Sequence, residues 1–269
     1  MKRSLLALRL GQSPLVYVVI QVRIAAVLSL EPYIAQIQEK LRRSGFPKFS
    51  QNTINELRFE LTQIKTTAMQ RYEFQARDGQ SGIVLTANTL AFHTTKYEHF
   101  EDFIEKFERA VELINSILNI EFVERVGLRY IDLVRVRDGE TVDQYITRDI
   151  LGPAPGKLGM IDSLSHFQMN GRTEVGILLF KLWQFNNGSF LPPDLVPNTL
   201  NHNLKLARNE KVSILDLDHY LEEQLDFDIV KISNAAWALH DNLDLTFREV
   251  VTEYALAQWK DQPVEEQSK

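Results

Sequence analysis

The sequence predicts an α+β fold: a mostly antiparallel sheet in two halves, with long amphipathic helices packed on one side. Three observations point there. Several runs alternate apolar and polar residues with period two, most clearly from Val123 to Arg137. Phe100 to Leu118 carries apolar residues at helical spacing, and so does the stretch after Phe227. Between strand-like runs the chain places turn residues such as Asp78-Gly79 and Gly82, as a hairpin does.

In chain order, Val16, Val18, Ile20, Val22 and Ile24 alternate with Tyr17, Gln21 and Arg23, which reads as a strand. The apolar run Pro14 to Leu30 contains Gln21 and Arg23 and is short for a membrane span of about 20 residues. A buried strand is expected, not an anchor. Met1-Lys2-Arg3 before Leu5, Leu6 and Leu8 imitates a signal peptide, but Arg9 and Gly11 interrupt it and no small-residue cleavage site follows. Glu31 to Arg43 is expected to be a short helix with Pro32 in its first turn, ended by Ser44-Gly45. Extended pieces follow at Leu57–Ile64, Arg71–Ala76, Ile83–Thr86 and from Asn88 to His93. Thr95-Lys96-Tyr97-Glu98 fits a capping box before the helix of Phe100, Phe103, Ile104, Phe107, Val111 and Ile114.

Residues 138–159 are rich in Gly and Pro and are expected to join two halves, 1–137 and 160–260, with a polar tail at 261–269. Two strands, about 160–170 and 174–185, would flank a turn at Asn170-Gly171. The polar connection 186–210 holds Pro192, Pro193 and Pro197, a length often associated with function. Val212 to Asp218 reads as a strand, and Phe227–Leu243 and Leu245–Trp259 as helices. Each half runs strands first and a long helix late, a hint of duplication.

With 44% hydrophobic and 25% charged residues the chain has material for a sizeable core and an ordinary globular surface. It has no cysteine, which excludes disulfides, thiolate metal sites and cysteine nucleophiles, and suits a cytoplasmic setting. The net charge of −6 argues against wholesale coating of nucleic acid. Charge is uneven, however: within residues 1–50, Glu31 and Glu39 stand against eight Lys and Arg, among them Arg23, Arg42 and Arg43.

The run from Val123 to Arg137 is the most informative. Val126, Leu128, Tyr130, Val134 and Val136 share the face suited to a core. Arg125, Arg129, Arg135 and Arg137 share the other, beside Gly127, Ile131 and Leu133. Arg125, Arg129 and Arg135, joined by Arg23, Arg42 and Arg43, suit forked contacts to carboxylate or phosphate. The same pattern suits a solvated strand face with cross-strand acidic partners. Asp216 and Asp218 share a strand face and are the metal candidates, with His219 offset; solvated acids at a strand end are the alternative.

Familiar signatures fail. Gly152-Pro-Ala-Pro-Gly156-Lys157-Leu158 is too short for a phosphate loop, and Gly79-Gln80-Ser81-Gly82 is one residue short of a nucleophile elbow. No dinucleotide fingerprint or His-Glu-x-x-His helix is present, so no catalytic residue and no cofactor is expected. His240-Asp241 reads as surface or capping chemistry.

Three pieces together resemble a known family: Pro14-Leu15-Val16, the strand Arg125-Val126-Gly127-Leu128-Arg129-Tyr130-Ile131, and Leu239-His240 followed by Thr246-Phe247-Arg248-Glu249-Val250-Val251-Thr252-Glu253. They look like a sporadically distributed family of uncharacterised bacterial proteins of about this length. The chain departs from it in a basic extension before Pro14. The resemblance implies a bacterial cytoplasmic setting in defence or mobile elements and carries no activity.

The expected function is therefore non-catalytic recognition, as a sensor, adaptor or inhibitor in such a system. The arginine face would contact an acidic protein or nucleic acid, with no membrane involved. The alternatives are a metal-dependent nuclease or phosphohydrolase using Asp216 and Asp218, and a structural subunit with an oligomer interface on Phe227–Trp259.

Overall fold

The structure, a computed structural model, describes residues 10–60, 63–161, 163–186, 191–195, 199–202, 204, 206 and 210–260. Most of the basic extension, the polar tail 261–269 and parts of the 186–210 connection lie outside the described residues. Among the described residues the elements are β1 (Leu15–Ile24), α1 (Glu31–Arg43), β2 (Lys48–Glu60), β3 (Gln63–Gln75), β4 (Ser81–Leu85), β5 (Thr89–Thr94), α2 (Phe100–Leu118) and β6 (Phe122–Arg135). Then follow β7 (Ser165–Arg172), β8 (Ile177–Asn186), β9 (Lys211–Leu221), β10 (Leu225–Asp226), α3 (Ile229–Val250) and α4 (Glu253–Trp259).

All strands join one antiparallel sheet in the order β2-β3-β4-β5-β1-β6-β9-β8-β7, with β10 beside β6. The two halves repeat one plan. In each, a first strand (β1 or β6) lies at the centre, and the chain then crosses to the sheet edge (β2 or β7). A meander runs back inward to pair with the first strand, and a long helix follows. β1 and β6 pair with each other, Val18 opposite Tyr130 and Ile20 opposite Leu128, so the halves meet inside the sheet. Valine and isoleucine dominate β1, as a strand covered on both faces requires.

Helices α1, α2 and α3 cover one face. Val18, Ile20, Val22 and Ile24 of β1 and Val126, Leu128, Tyr130 and Val134 of β6 point into it. They meet Ile37 and Leu41 of α1, Phe103, Phe107 and Ile114 of α2, and Ile232, Ala236, Leu239 and Leu243 of α3. This burial is the main stabilising term. The apolar side of α3 is thereby buried within the chain, which leaves little of it for the oligomer interface considered above. The connection 138–159 is not a free linker. Tyr145 and Ile146 are buried in the main core, and Ile146 bridges Val251.

Local details differ from expectation at four places. The first is Leu57–Ile64, expected as one extended piece, which spans the end of β2 and the start of β3, two strands that pair with each other. Helix α2 begins at Phe100 with His99 as its uncapped N-cap, while the Thr95 hydroxyl donates to the Gln80 and Asn201 carbonyls instead of capping. Asn170 and Gly171 stay inside β7, and the chain turns at Thr173–Gly176, where the Thr173 hydroxyl accepts from the Val175 and Gly176 amides. Helix α3 runs unbroken through Asp244 and Leu245 to Val250, with Arg248 paired to Asp244 one turn back. The break comes at Thr252, whose hydroxyl caps α4 by accepting from Ala255 N–H.

Gly176 explains the displaced turn. A Cβ there would stand 2.2 Å from the Tyr220 carbonyl oxygen, backbone that cannot step aside. Gly176→Ala is expected to destabilise the fold by about 1–3 kcal/mol through β8–β9 separation, measurable as a lower denaturant midpoint; an unchanged midpoint would contradict this close approach.

Candidate functional site

The period-two arrangement of β6 places Arg125, Gly127, Arg129, Ile131 and Leu133 on the face away from the helices. That face is not open to solvent throughout. Tyr17, Ile131, Leu133, Val212 and Ile214 form a second apolar cluster there, covered by Leu191 and Leu200 from the 186–210 connection. The covering chain is also tied by polar contacts: the Thr199 hydroxyl donates to Glu73, and the Asn201 amide N–H donates to the Gly79 carbonyl.

Arg129 lies at the edge of this cluster, opposite Asp218 on β9. Its Nε and Nη2 donate to the two oxygens of Asp216 at 2.7 and 2.8 Å. Its outer edge is gripped by a second carboxylate, Asp194, through Nη1 at 2.5 Å and Nη2 at 3.2 Å. The two acids differ in setting: the Asp216 side chain is 2% exposed and that of Asp194 59%. Burial by itself would weaken the Arg129 charge, but bonds from Asp216 and Asp194 outweigh it and hold the guanidinium firmly protonated. Burial likewise works against ionisation of Asp194, and Arg129 more than offsets it, so that its carboxyl lies below the usual range.

Two further cations flank this fork with little to hold them. Lys181 Nζ on β8 stands 4.0 Å from Asp216 Oδ2, beyond hydrogen-bond reach. Arg125 lies over the ring of Tyr220, 4.1 Å from its centroid, with its buried Nε lacking any hydrogen-bond partner. Gly127 is not required for this pose, since a Cβ there would make only ordinary contact. The Arg125 guanidinium lies 3.6 Å from where a Cβ would be, and the β6–β9 register runs through Gly127 without a bulge. Asp218 sits among these groups. Burial raises its carboxyl, and nearby Arg129 and Arg125 only partly oppose the shift.

The remaining sequence-selected cations are neutralised locally. Arg23 pairs with Glu124 and Glu222, Arg42 and Arg43 both pair with Glu39 on the exposed side of α1, and Arg135 pairs with Glu210. The structure therefore brings Arg125 and Arg129 together with Lys181, and leaves Arg42 and Arg43 on a separate helix. For the metal candidates, Asp216 and Asp218 do share a face. Both oxygens of Asp216 are occupied by Arg129, however. Among the described residues no three acids or histidines are grouped to hold a metal ion.

Beside the cluster, Tyr17 Oη and His93 Nδ1 are 3.0 Å apart, and Arg71 pairs with buried Glu73 at 2.7 Å. Burial, assisted by Arg71, lowers His93 to about 3. On the helix side, His240 is half-buried. It stacks on Phe100 and shares a 2.7 Å hydrogen bond with the Tyr130 hydroxyl. Burial lowers it to about 4, against Asp244 and Glu101.

Asp132 also points to the helix side, buried between Leu15 and Leu215 in register. Burial pushes its carboxyl up to about 8 with nothing opposing it. Sequence reading passed over Asp132, Asp194 and Lys181. Asp132 could have been found as the acid on the apolar side of the alternation. Asp194 and Lys181 carry no local signal, since only the tertiary fold sets them beside Arg129. Comparison with protein-family models and with curated proteins finds no match to this chain. No helix of the described residues is long and apolar enough to cross a membrane.

Proposed function

We propose that this chain is a recognition protein, a sensor, adaptor or inhibitor, whose helix-free sheet face contacts an acidic protein partner. The observation that supports it best is the placement of Arg125 and Lys181 on either side of Arg129. Both are partly shielded cations, and neither has a carboxylate within hydrogen-bond reach among the contacts described above. Partly buried cations held by one distant carboxylate or by a ring face gain from a carboxylate that hydrogen-bonds to them. The face also holds described parts of the chain's own 186–210 connection, with Leu191 and Leu200 seated and Asp194 on Arg129. A cytoplasmic setting in bacterial defence or a mobile element belongs to the same proposal and rests on the resemblance and the missing cysteines.

The test is capture of the tagged protein from a bacterial host, with the Arg125→Gln/Lys181→Gln variant alongside. An acidic protein retained by the wild type and lost by the variant, at unchanged melting temperature, is the expected result. Nucleic acid behaving the same way, and released by salt, would make it the occupant instead. A partner that the variant keeps equally well would remove this face from the function.

A further inference from the structure

The outer edge of Arg129 is already occupied by a carboxylate that the fold does not need there. Asp216 alone satisfies the inner edge, and it is the acid buried with the arginine. Asp194 comes from the short turn Pro193–Leu195 and remains largely exposed, so its side chain can rotate into water while its backbone stays in place. Its two oxygens make the forked geometry that any carboxylate of a partner would make with the same guanidinium. Lys181 adds positive potential at the same position, since it too acts on Asp194.

We propose that Asp194 is a built-in stand-in for the ligand: it occupies the oxyanion seat formed by Arg129 and Lys181, and a carboxylate of an acidic protein segment binds by displacing it. This rests on the sheet-face reading above and adds regulation to it. The seat is self-inhibited, and affinity is set by competition between a tethered acid and an incoming one. A carboxylate suits the seat because one is already accommodated there in planar, two-point contact. Removing the tethered acid leaves the cations in place and takes away their competitor.

Binding of a fluorescently labelled polyglutamate peptide to the full chain tests this, in wild type, Asp194→Asn, and Asp194→Asn/Lys181→Gln. Asp194→Asn is expected to tighten binding roughly tenfold, a usual size for coupling between competing states. The added Lys181→Gln should cancel most of that gain. Melting temperatures should be nearly equal, because Asp194 is exposed. Equal affinity of wild type and Asp194→Asn, with weaker binding once Lys181→Gln is added, would overturn the competition and leave the sheet-face reading standing. No binding to any variant, Asp194→Asn included, would overturn both. Arg129 itself is unsuited to the test, because its loss strands Asp216.

Discussion

Arg129→Met is expected to destabilise the protein by about 3–5 kcal/mol, the range for breaking a buried ion pair from one side. The variant leaves the Asp216 carboxylate, 2% exposed, without the two donors that satisfy its oxygens inside the protein. Lys181, 4.0 Å away, is the nearest replacement, and it would have to move to make a hydrogen bond. Arg129→Met/Asp216→Leu should recover most of the loss, since replacing both partners removes the stranded charge. Asp194→Asn, on the exposed side of the same guanidinium, should cost at most about 1 kcal/mol. Urea unfolding of the three variants measures all of this. A single Arg129→Met variant as stable as wild type would show that the pair is not buried as described. The asymmetry also separates the roles: the inner carboxylate holds the fold, and the outer one is free to serve binding.

The second large effect is a dependence of stability on pH that turns on Asp132. Its folded-state carboxyl titrates at about 8, against 3.8 ordinarily. Between those values the folded protein keeps a proton that the unfolded chain has released. The unfolded state therefore binds fewer protons, and stability falls as pH rises through this window, by about 1.4 kcal/mol per unit. At pH 8 the accumulated loss is on the order of 5 kcal/mol. Asp132→Asn keeps the shape and cannot ionise, so it should be several kcal/mol more stable than wild type at pH 8 and nearly equal to it at pH 4.

Two histidines act with the opposite sign. His240, lowered to about 4, and His93, lowered to about 3, stay neutral in the folded protein while the unfolded chain protonates them below 6.5. Their contribution is full above pH 6.5 and is lost as pH falls toward those values. From these three groups, stability should peak near pH 6.5. A wild-type midpoint in urea that is flat from pH 6 to 9 would contradict the burial of Asp132.

Much of the fold was legible in the residues. The alternation of β1 and β6, the apolar stripe of α2 and the Asp78-Gly79 turn are local patterns, and the elements form where those patterns lie. The errors came where a local signal met a non-local constraint. Asn170-Gly171 is a good turn by composition, but β8 approaches β9 so closely at Gly176 that the turn must form there. Thr95 is a good cap by spacing, but the Gln80 and Asn201 carbonyls compete for its hydroxyl. His240 looked like a surface residue on a helix because neither Tyr130 nor Phe100, its partners, is near it in sequence.

The residues alone determined the α+β class, the helix-covered and helix-free faces of β6, and the presence of Arg125 and Arg129 together on the second. Side-chain alternation and helical spacing are set within a few residues of each position, so they can be read without knowing the rest. Only the tertiary structure decided what those arginines face. Asp216 comes from 87 residues along the chain and Asp194 from 65, and no periodicity links either to Arg129. Whether a charge is a solvated ornament, a buried strut or a binding seat depends on the groups folding brings within a few ångströms of it. That distance is a property of the whole sheet and not of the strand that carries the charge.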